Sequence, residues 1–122
     1  MVPTEKHNER IRTMKFSGVY PHYVTKVEKK GRTVEELHTV MRWLTDYDEA
    51  TLAAFIASPT ATFEDFFADA TLPAEAEQIK GVICGYRIEE IENELTRRCR
   101  YLDKLVDELA RGRKLEKVLR SV

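Results

Sequence analysis

Residues 86–112 read YRIEEIENELTRRCRYLDKLVDELARG, and this stretch decides the fold. Apolar side chains recur in it at steps of seven residues, at Ile88, Leu95, Leu102 and Leu109. Four further positions fill the spaces between them, namely Ile91, Cys99, Leu105 and Val106. In a helix, this spacing places the apolar side chains in one stripe and leaves the opposite face charged. We therefore predict a long C-terminal helix that runs to Arg111, is ended or kinked by Gly112, and buries one side against other helices.

The composition is that of one folded, helix-rich domain. The 122 residues are 43% hydrophobic and 34% charged, with only 5 Gly and 4 Pro, which excludes disordered and fibrous classes. We expect a single domain over residues 1–122, with residues 1–9 flexible. No apolar run of membrane-spanning length and no secretory signal is recognisable, so a cytoplasmic location without a membrane partner is expected.

Two shorter helices are indicated in the first half of the chain. A helix over Pro21–Lys30 would begin on proline and end before Gly31, which is the usual placement of these residues at helix ends. Thr33 followed by Glu36 has the form of a capping box and predicts a second helix over Val34–Thr45.

Two more helices are indicated before the C-terminal stretch. Asp46 or Asp48 can cap a third helix that stops before Pro59, and Thr62 can cap a short fourth. Residues 81–85, GVICG, are harder to place. They allow a brief strand or a close-packed turn, and we favour a turn or a helix start because a lone strand without a partner would be unstable.

Together these elements predict an all-α fold, a compact single-domain bundle of five or six helices with a long C-terminal helix. The C-terminal helix is expected to pack against the hairpin of the first two helices, because a stripe widened by Cys99 and Val106 suits packing within one chain. A homodimer through the C-terminal helix is the alternative. Beyond Gly112, a basic tail helix carries a last apolar edge, formed by Leu115, Val118, Leu119 and Val122.

Tyr20, His22 and Tyr23 gather two phenols and an imidazole at the predicted start of the first helix. Free backbone N–H groups at a helix start could hold an anionic group there. The simpler interpretation is that Tyr20 packs against the helix entry as a hydrophobic staple.

Cys84 lies next to Gly85 ahead of the predicted C-terminal helix, and helix N-termini favour the thiolate form. Together with Tyr20 and Tyr23 it could line the pocket of a small enzyme or ligand-binding protein. The simpler interpretation is a small buried residue, because no histidine can be identified as its partner. Cys99 lies on the apolar stripe and is expected in the core, and both cysteines are expected to be free thiols.

Arg98 is the exceptional charge on the apolar stripe. It lies one heptad from both Ile91 and Leu105. A charge at this position must reach an acid, extend to water or line an interface. We therefore count Arg98 among the candidate binding residues.

Charge is distributed unevenly although the formal net charge is −1. Residues 1–32 carry an excess of five positive charges, residues 33–80 an excess of eight negative charges, and residues 81–122 an excess of two positive charges. The simplest interpretation is that the acidic middle packs beside the basic ends in a monomer or dimer. Acids interleave each basic cluster, so nucleic acid is not expected as a partner, and binding through the basic ends is the last alternative.

The ordered motifs of the chain resemble a small bacterial family known as domain of unknown function 2200. The matching residues are Arg10-Ile11, Phe16, Val19-Tyr20-Pro21, Tyr23, Glu28 to Thr33, Trp43-Leu44-Thr45, Gly81 to Gly85, Arg100 to Leu105, Asp107-Glu108-Leu109, Glu116-Lys117 and Leu119-Arg120. The resemblance runs from about Arg10 to Arg120 and implies no activity and no site residues.

Two positions depart from the family pattern. Asp46 stands where the family tends to have glycine, and Asn93-Glu94 stands where it tends to have Asp-Pro. If relatives break their helix at that proline, the main helix would start near Asn93 as its cap. Ile88 and Ile91 would then belong to a separate short element.

No residue cluster has the spacing of a metal site, a phosphate loop or a catalytic triad. We therefore expect no cofactor, no metal and no catalytic residues. The leading hypothesis is a non-catalytic interaction or regulatory protein whose protein partner the sequence does not identify. The alternative is a small enzyme or ligand-binding protein with a pocket near Cys84, Tyr20 and Tyr23.

Overall fold

The computed structural model describes residues 3–120. The α-helices in chain order are α1 (Glu5–Thr13), α2 (Phe16–Glu28), α3 (Val34–Thr45), α4 (Glu49–Ala57), α5 (Phe63–Ala68), α6 (Glu94–Ala110) and α7 (Leu115–Val118). Strands β1 (Val82–Ile83) and β2 (Tyr86–Arg87) form a hairpin, and short 3-10 helices span Ala74–Gln78 and Ile88–Glu90. The predicted all-α fold with a long C-terminal helix is confirmed. Residues 1 and 2, which belong to the segment expected to be flexible, and Val122 of the predicted apolar edge lie outside the described residues.

Helix α6 is the central helix of the bundle. Its side chains at Cys99, Leu102, Leu105 and Leu109 are buried, and it contacts α1, α2, α3 and α5. The apolar stripe is thus covered by other helices of the same chain. This confirms the expectation that the C-terminal helix packs against the first predicted helix pair, which corresponds to α2 and α3.

The long helix begins later than the heptad spacing predicts. It starts at Glu94, because the side chain of Asn93 accepts a hydrogen bond from the backbone N–H of Thr96 at 3.0 Å and caps the first turn. Ile88 and Ile91 are buried but lie in and after a separate 3-10 turn. The prediction of a helix running from Tyr86 is wrong, and the start near Asn93 suggested by the departure from the family pattern is confirmed.

Helix α2 begins at Phe16, five residues before the predicted start at Pro21. The ring of Phe16 is fully buried and stacks on Phe66 with a centroid distance of 4.1 Å. The backbone N–H of Phe16 also donates to the carbonyl of Ala61 at 3.0 Å. These contacts with distant parts of the chain fix the helix start, so Pro21 lies inside the helix and the prediction that it opens the helix is wrong.

The next three helices follow the local signals. Helix α3 has the predicted bounds and the predicted capping box of Thr33 with Glu36. Asp48, rather than Asp46, caps α4, and Thr62 caps α5 with a second capping box. Asp46 instead follows the last turn of α3 with φ 62°, a left-handed conformation that favours glycine. The family preference for glycine at this position thus has a backbone reason.

Residues 82–87 form an antiparallel hairpin, in which Val82 pairs with Arg87 and Ile83 with Tyr86. Cys84 and Gly85 make the two-residue turn, with φ values of 53° and 83°, as a type I′ turn requires. The interpretation of residues 81–85 as a turn or helix start is therefore wrong for Val82 and Ile83. The strand partner that a lone strand would need is Tyr86–Arg87, which follows directly after the two-residue turn.

The end of α6 is closed by Gly112, as predicted. Gly112 has φ 90°. Its backbone N–H donates to the carbonyl of Leu109, and the backbone N–H of Arg113 donates to the carbonyl of Glu108. These two hydrogen bonds form the Schellman motif. The guanidinium of Arg32 also donates to the carbonyl of Leu109 at 3.1 Å. A cation at this end of α6 is favoured by the helix dipole.

Candidate functional site

A cavity of about 450 Å³ lies between α1, α2, α6 and the hairpin. Its apolar walls come from Ile11, Val19, Phe63, Ile83 and Val106. Its polar lining consists of His7, Arg10, His22, Lys26, Arg100 and Asp103, and its sulfur atoms belong to Met14, Cys84 and Cys99. A cavity of this size with mostly apolar walls and a few convergent polar groups is typical of small-molecule sites.

Asp103 on α6 is the centre of a polar network in this cavity. The hydroxyl of Tyr23 donates to its Oδ1 at 2.7 Å, and Nη1 of Arg100 donates to its Oδ2 at 2.8 Å. Both carboxylate oxygens are therefore engaged by neighbouring side chains. The network joins α2 to α6 at the wall of the cavity.

Arg100 extends the network to α1 and to the hairpin. Its Nη2 lies 3.0 Å from Nε2 of His7, and its Cζ lies 5.4 Å from the ring centroid of Tyr86. Because a guanidinium can only donate, His7 Nε2 must accept and the ring proton must be on Nδ1. The His7 ring also packs on Tyr86 with a centroid distance of 5.1 Å. One guanidinium on α6 thus contacts two other elements that form the cavity, α1 and the hairpin.

The pKa values of Tyr23 and His7 in this network are both shifted away from neutral pH. Burial, then the charge and hydrogen bond of Asp103, raise the pKa of Tyr23 well above its usual value. Burial, then the charges of Arg100 and Arg10, lower the pKa of His7. At neutral pH the phenol is therefore protonated and the imidazole is uncharged.

The two thiols at the cavity differ in exposure. Cys84 is exposed at the tip of the hairpin, whereas Cys99 is buried in α6, and both are free. The predictions that Cys99 belongs to the core and that the cysteines are unpaired are confirmed. Burial, then the charge of Asp103, raise the pKa of Cys99, so this thiol stays protonated at neutral pH. The prediction that Cys84 precedes a helix N-terminus is wrong, because it lies in the hairpin turn.

Comparison with known proteins places the chain in a family. Residues 10–120 match the sequence model of a protein family named domain of unknown function 2200 (DUF2200), which is described as uncharacterised and conserved in bacteria. The chain belongs to this family. It is also similar to a solved structure titled "Crystal structure of uncharacterized protein SP1917", with a TM-score of 0.85, 41% sequence identity and 93% of each chain covered. No curated protein matches the chain.

The structure of this DUF2200 protein brings three of the five predicted binding residues to one cavity. His22, Tyr23 and Cys84 line it, whereas Tyr20 and Arg98 do not. The cluster of Tyr20, His22 and Tyr23 does not lie at a helix start, because α2 has already begun at Phe16. The prediction that free backbone N–H groups of a helix start hold an anionic group beside these side chains is therefore wrong.

Tyr20 belongs to a different contact. Its hydroxyl lies 2.5 Å from Nε2 of His38, whose Nδ1 lies 3.2 Å from Oε1 of Glu49. Burial, then Glu28 and Glu49, raise the pKa of Tyr20, so the phenol is not activated as a nucleophile. This chain of side chains connects α2, α3 and α4.

Arg98 reaches an acid, the first of the three outcomes considered for it. Its Nη2 lies 2.6 Å from Oε1 of Glu94, and its Nη1 donates to the carbonyl of Phe67 at 3.4 Å. The homodimer through the C-terminal helix stays a prediction. The apolar stripe that suggested it is buried within the chain.

Sequence reasoning missed five polar side chains of the cavity, namely His7, Arg10, Lys26, Arg100 and Asp103. Arg100 and Asp103 belong to the charged face predicted for the C-terminal helix, and their spacing of three residues is the local signal that they can pair. Within residues 3–120, no group of three or more His, Cys, Asp or Glu side chains is arranged to hold a metal ion.

Proposed function

We propose that this DUF2200 protein is a non-catalytic binding protein that takes a small organic molecule into the cavity between α1, α2, α6 and the hairpin. The observation that carries the proposal is the cavity itself, about 450 Å³ in volume and walled by Ile11, Val19, Phe63, Ile83 and Val106. Protein sites for small molecules have volumes of about 300–1,000 Å³ and similar linings.

A binding role suits the cavity better than catalysis. Tyr23 and Cys99 hold their protons because both are buried and their pKa values are raised. His7 has an uncharged ring at neutral pH, but its Nε2 is occupied by Arg100. A general base needs an available lone pair and a pKa near the working pH, so these groups are better suited to orienting a ligand.

The cytoplasmic location belongs to the same proposal. Its support is that Cys84 and Cys99 are unpaired thiols, and free thiols persist in reducing compartments. A protein that binds a cytoplasmic molecule could also act as a regulatory partner of other proteins, which was the leading hypothesis from the sequence.

The proposal can be tested with phenylnaphthylamine, an uncharged probe that fluoresces in apolar sites. We expect saturable binding that is weakened about tenfold or more by Ile83→Trp, since the larger side chain occupies cavity space. Val82→Trp is the matched control, because Val82 is the adjacent strand residue, is 52% exposed and does not line this cavity.

Thermal melts of both tryptophan variants verify that each remains folded. Equal binding by the two variants, or no saturable binding by the parent protein, would overturn the proposal.

A further inference from the structure

The cavity has an excess of positive charge at its lining. Arg10, Lys26 and Arg100 are cationic, and Asp103 is the single acid among the lining residues. The exposed His22 adds a further group that can carry positive charge. Charge that is not balanced within a concave site attracts an opposite charge from solution.

Asp103 cannot balance the other cations. Its two oxygens are occupied by Tyr23 and Arg100 at 2.7 and 2.8 Å. The charge of Asp103 is therefore offset by Arg100, its nearest cation, and Arg10 and Lys26 need another partner.

Lys26 has a partner that it shares. Its Nζ lies 3.2 Å from Oδ1 of Asp107, whose Oδ2 also lies 2.9 Å from Nε of Arg111. One carboxylate therefore serves two cations. This leaves Lys26 only partly neutralised.

Arg10 is the least compensated cation of the lining. It is exposed on α1, and the part of the chain described here offers its guanidinium neither a hydrogen bond nor an ion pair. Its positive charge is one cause of the lowered pKa of His7. A guanidinium in this state is ready to bind a carboxylate or a similar oxyanion.

We infer that the ligand of this cavity is a small organic anion, with an apolar body against the walls and one carboxylate, sulfonate or phosphate group at Arg10 and Lys26. This inference rests on the proposed function, since it names the chemical class of the molecule that the cavity binds. The apolar walls favour the body of the ligand, and the uncompensated cations favour its charged group.

A matched pair of probes tests the inference. Anilinonaphthalene sulfonate and phenylnaphthylamine share one aromatic skeleton and differ in the sulfonate group. We expect the anionic probe to bind about fivefold or more tightly than the neutral one, as two partly exposed charge contacts would give. Raising the salt concentration should reduce this difference.

Two substitutions locate the charged group. Arg10→Gln with Lys26→Gln should remove the preference for the anionic probe over the neutral probe. Arg12→Gln with Lys29→Gln is the matched control, because these cations lie on the same two helices or their ends and do not line the cavity. The control variant should keep the preference.

The outcomes separate the two proposals. If the neutral probe binds and the anionic probe binds no more tightly, the inference fails while the proposed function stands. A preference that persists in the Arg10 and Lys26 variant also overturns the inference. If neither probe binds the folded parent protein, the proposed function fails, and the inference fails with it.

Discussion

The hydroxyl of Tyr23 on α2 donates to Oδ1 of Asp103 on α6 across a distance of 2.7 Å. This hydrogen bond joins two of the helices that form the cavity, at a residue pair that is far apart in the sequence. Since Asp103 also holds Arg100, the same carboxylate positions a guanidinium that reaches α1 and the hairpin. The wall of the cavity and the packing of the helices therefore share one group of side chains.

Replacing Tyr23 by phenylalanine should lower the free energy of unfolding by about 1–2 kcal/mol, because the partly buried carboxylate of Asp103 loses one hydrogen-bond donor. Urea denaturation measures this loss as a lower midpoint with an unchanged slope. Tyr101→Phe is the control, since Tyr101 is buried to the same degree and its hydroxyl has no hydrogen bond to any described residue. Equal losses in the two variants would contradict a special role for the bond to Asp103.

His7 should make the stability of the protein fall in mildly acid solution. Its pKa is below the usual 6.5 in the folded protein, because of burial and then the charges of Arg100 and Arg10. The unfolded chain therefore binds a proton at a pH at which the folded chain does not, and stability is lost as the pH falls through about 6.5 toward the folded pKa. The lowered pKa of Glu36 acts below its usual value of 4.5, in more acid solution.

Thermal melts between about pH 7.5 and pH 5.5 measure this effect. His7→Gln should show a smaller decrease than the parent protein, since glutamine keeps an acceptor for Arg100 and does not titrate. His22→Gln is the control for replacing a histidine, because His22 is exposed and lies outside the network of Arg100 and Asp103. Identical pH profiles for the parent and the His7 variant would rule out this explanation.

Asp46→Gly should raise the free energy of unfolding by about 0.5 kcal/mol. Asp46 has φ 62°, and a residue with a Cβ atom is strained in this conformation, whereas glycine is not. Asp48→Ala, two residues on, should lower it by about 1 kcal/mol because the α4 cap is lost. Urea denaturation of both variants gives the two changes, and a destabilised Asp46→Gly protein would refute the backbone argument.

The two cysteines should differ in alkylation by iodoacetamide at neutral pH. Cys84 is exposed and should react in the folded protein, whereas Cys99 is 5% exposed, has a raised pKa and should react only after unfolding. Mass spectrometry of digested protein identifies the modified residue. Cys84→Ser should abolish labelling of the folded protein and Cys99→Ser should not, and rapid labelling of Cys99 without denaturant would contradict the burial described here.

Sequence patterns predicted correctly those helix starts that are determined by residues within one helical turn of the start. Thr33 and Glu36 define the start of α3 from three residues apart, so the bounds of this helix could be predicted in full. The cap at Thr62 could be predicted in the same way, whereas the sequence leaves the cap of α4 open between Asp46 and Asp48. The start of α2 could not be predicted in this way, because it depends on the carbonyl of Ala61 and the ring of Phe66.

The residues of the cavity likewise divide into those that the local sequence indicates and those that only the assembled fold brings together. Tyr23 and Cys84 stood out by residue type, but their proximity depends on how the hairpin lies against α6. His7 lies in α1, and the position of this helix depends on contacts such as the hydrogen bond that Asn8 accepts from the buried Thr96 of α6 at 2.7 Å. Pairing between Arg100 and His7 is a property of the assembled helices, which a pattern of single residues cannot specify.

Two residues that flank the hairpin of β1 and β2 anchor it to the core. Ile79 precedes the hairpin and Ile88 follows it, and both side chains are buried. Between these anchors, side chains of the helices hold it, with Lys104 donating to the carbonyl of Val82 at 3.3 Å and His7 packing on Tyr86. Neither Lys104 nor His7 belongs to the buried core of the helix bundle. Entry of a ligand into the proposed site past the hairpin would therefore require only local opening of these contacts and no unfolding of the helices.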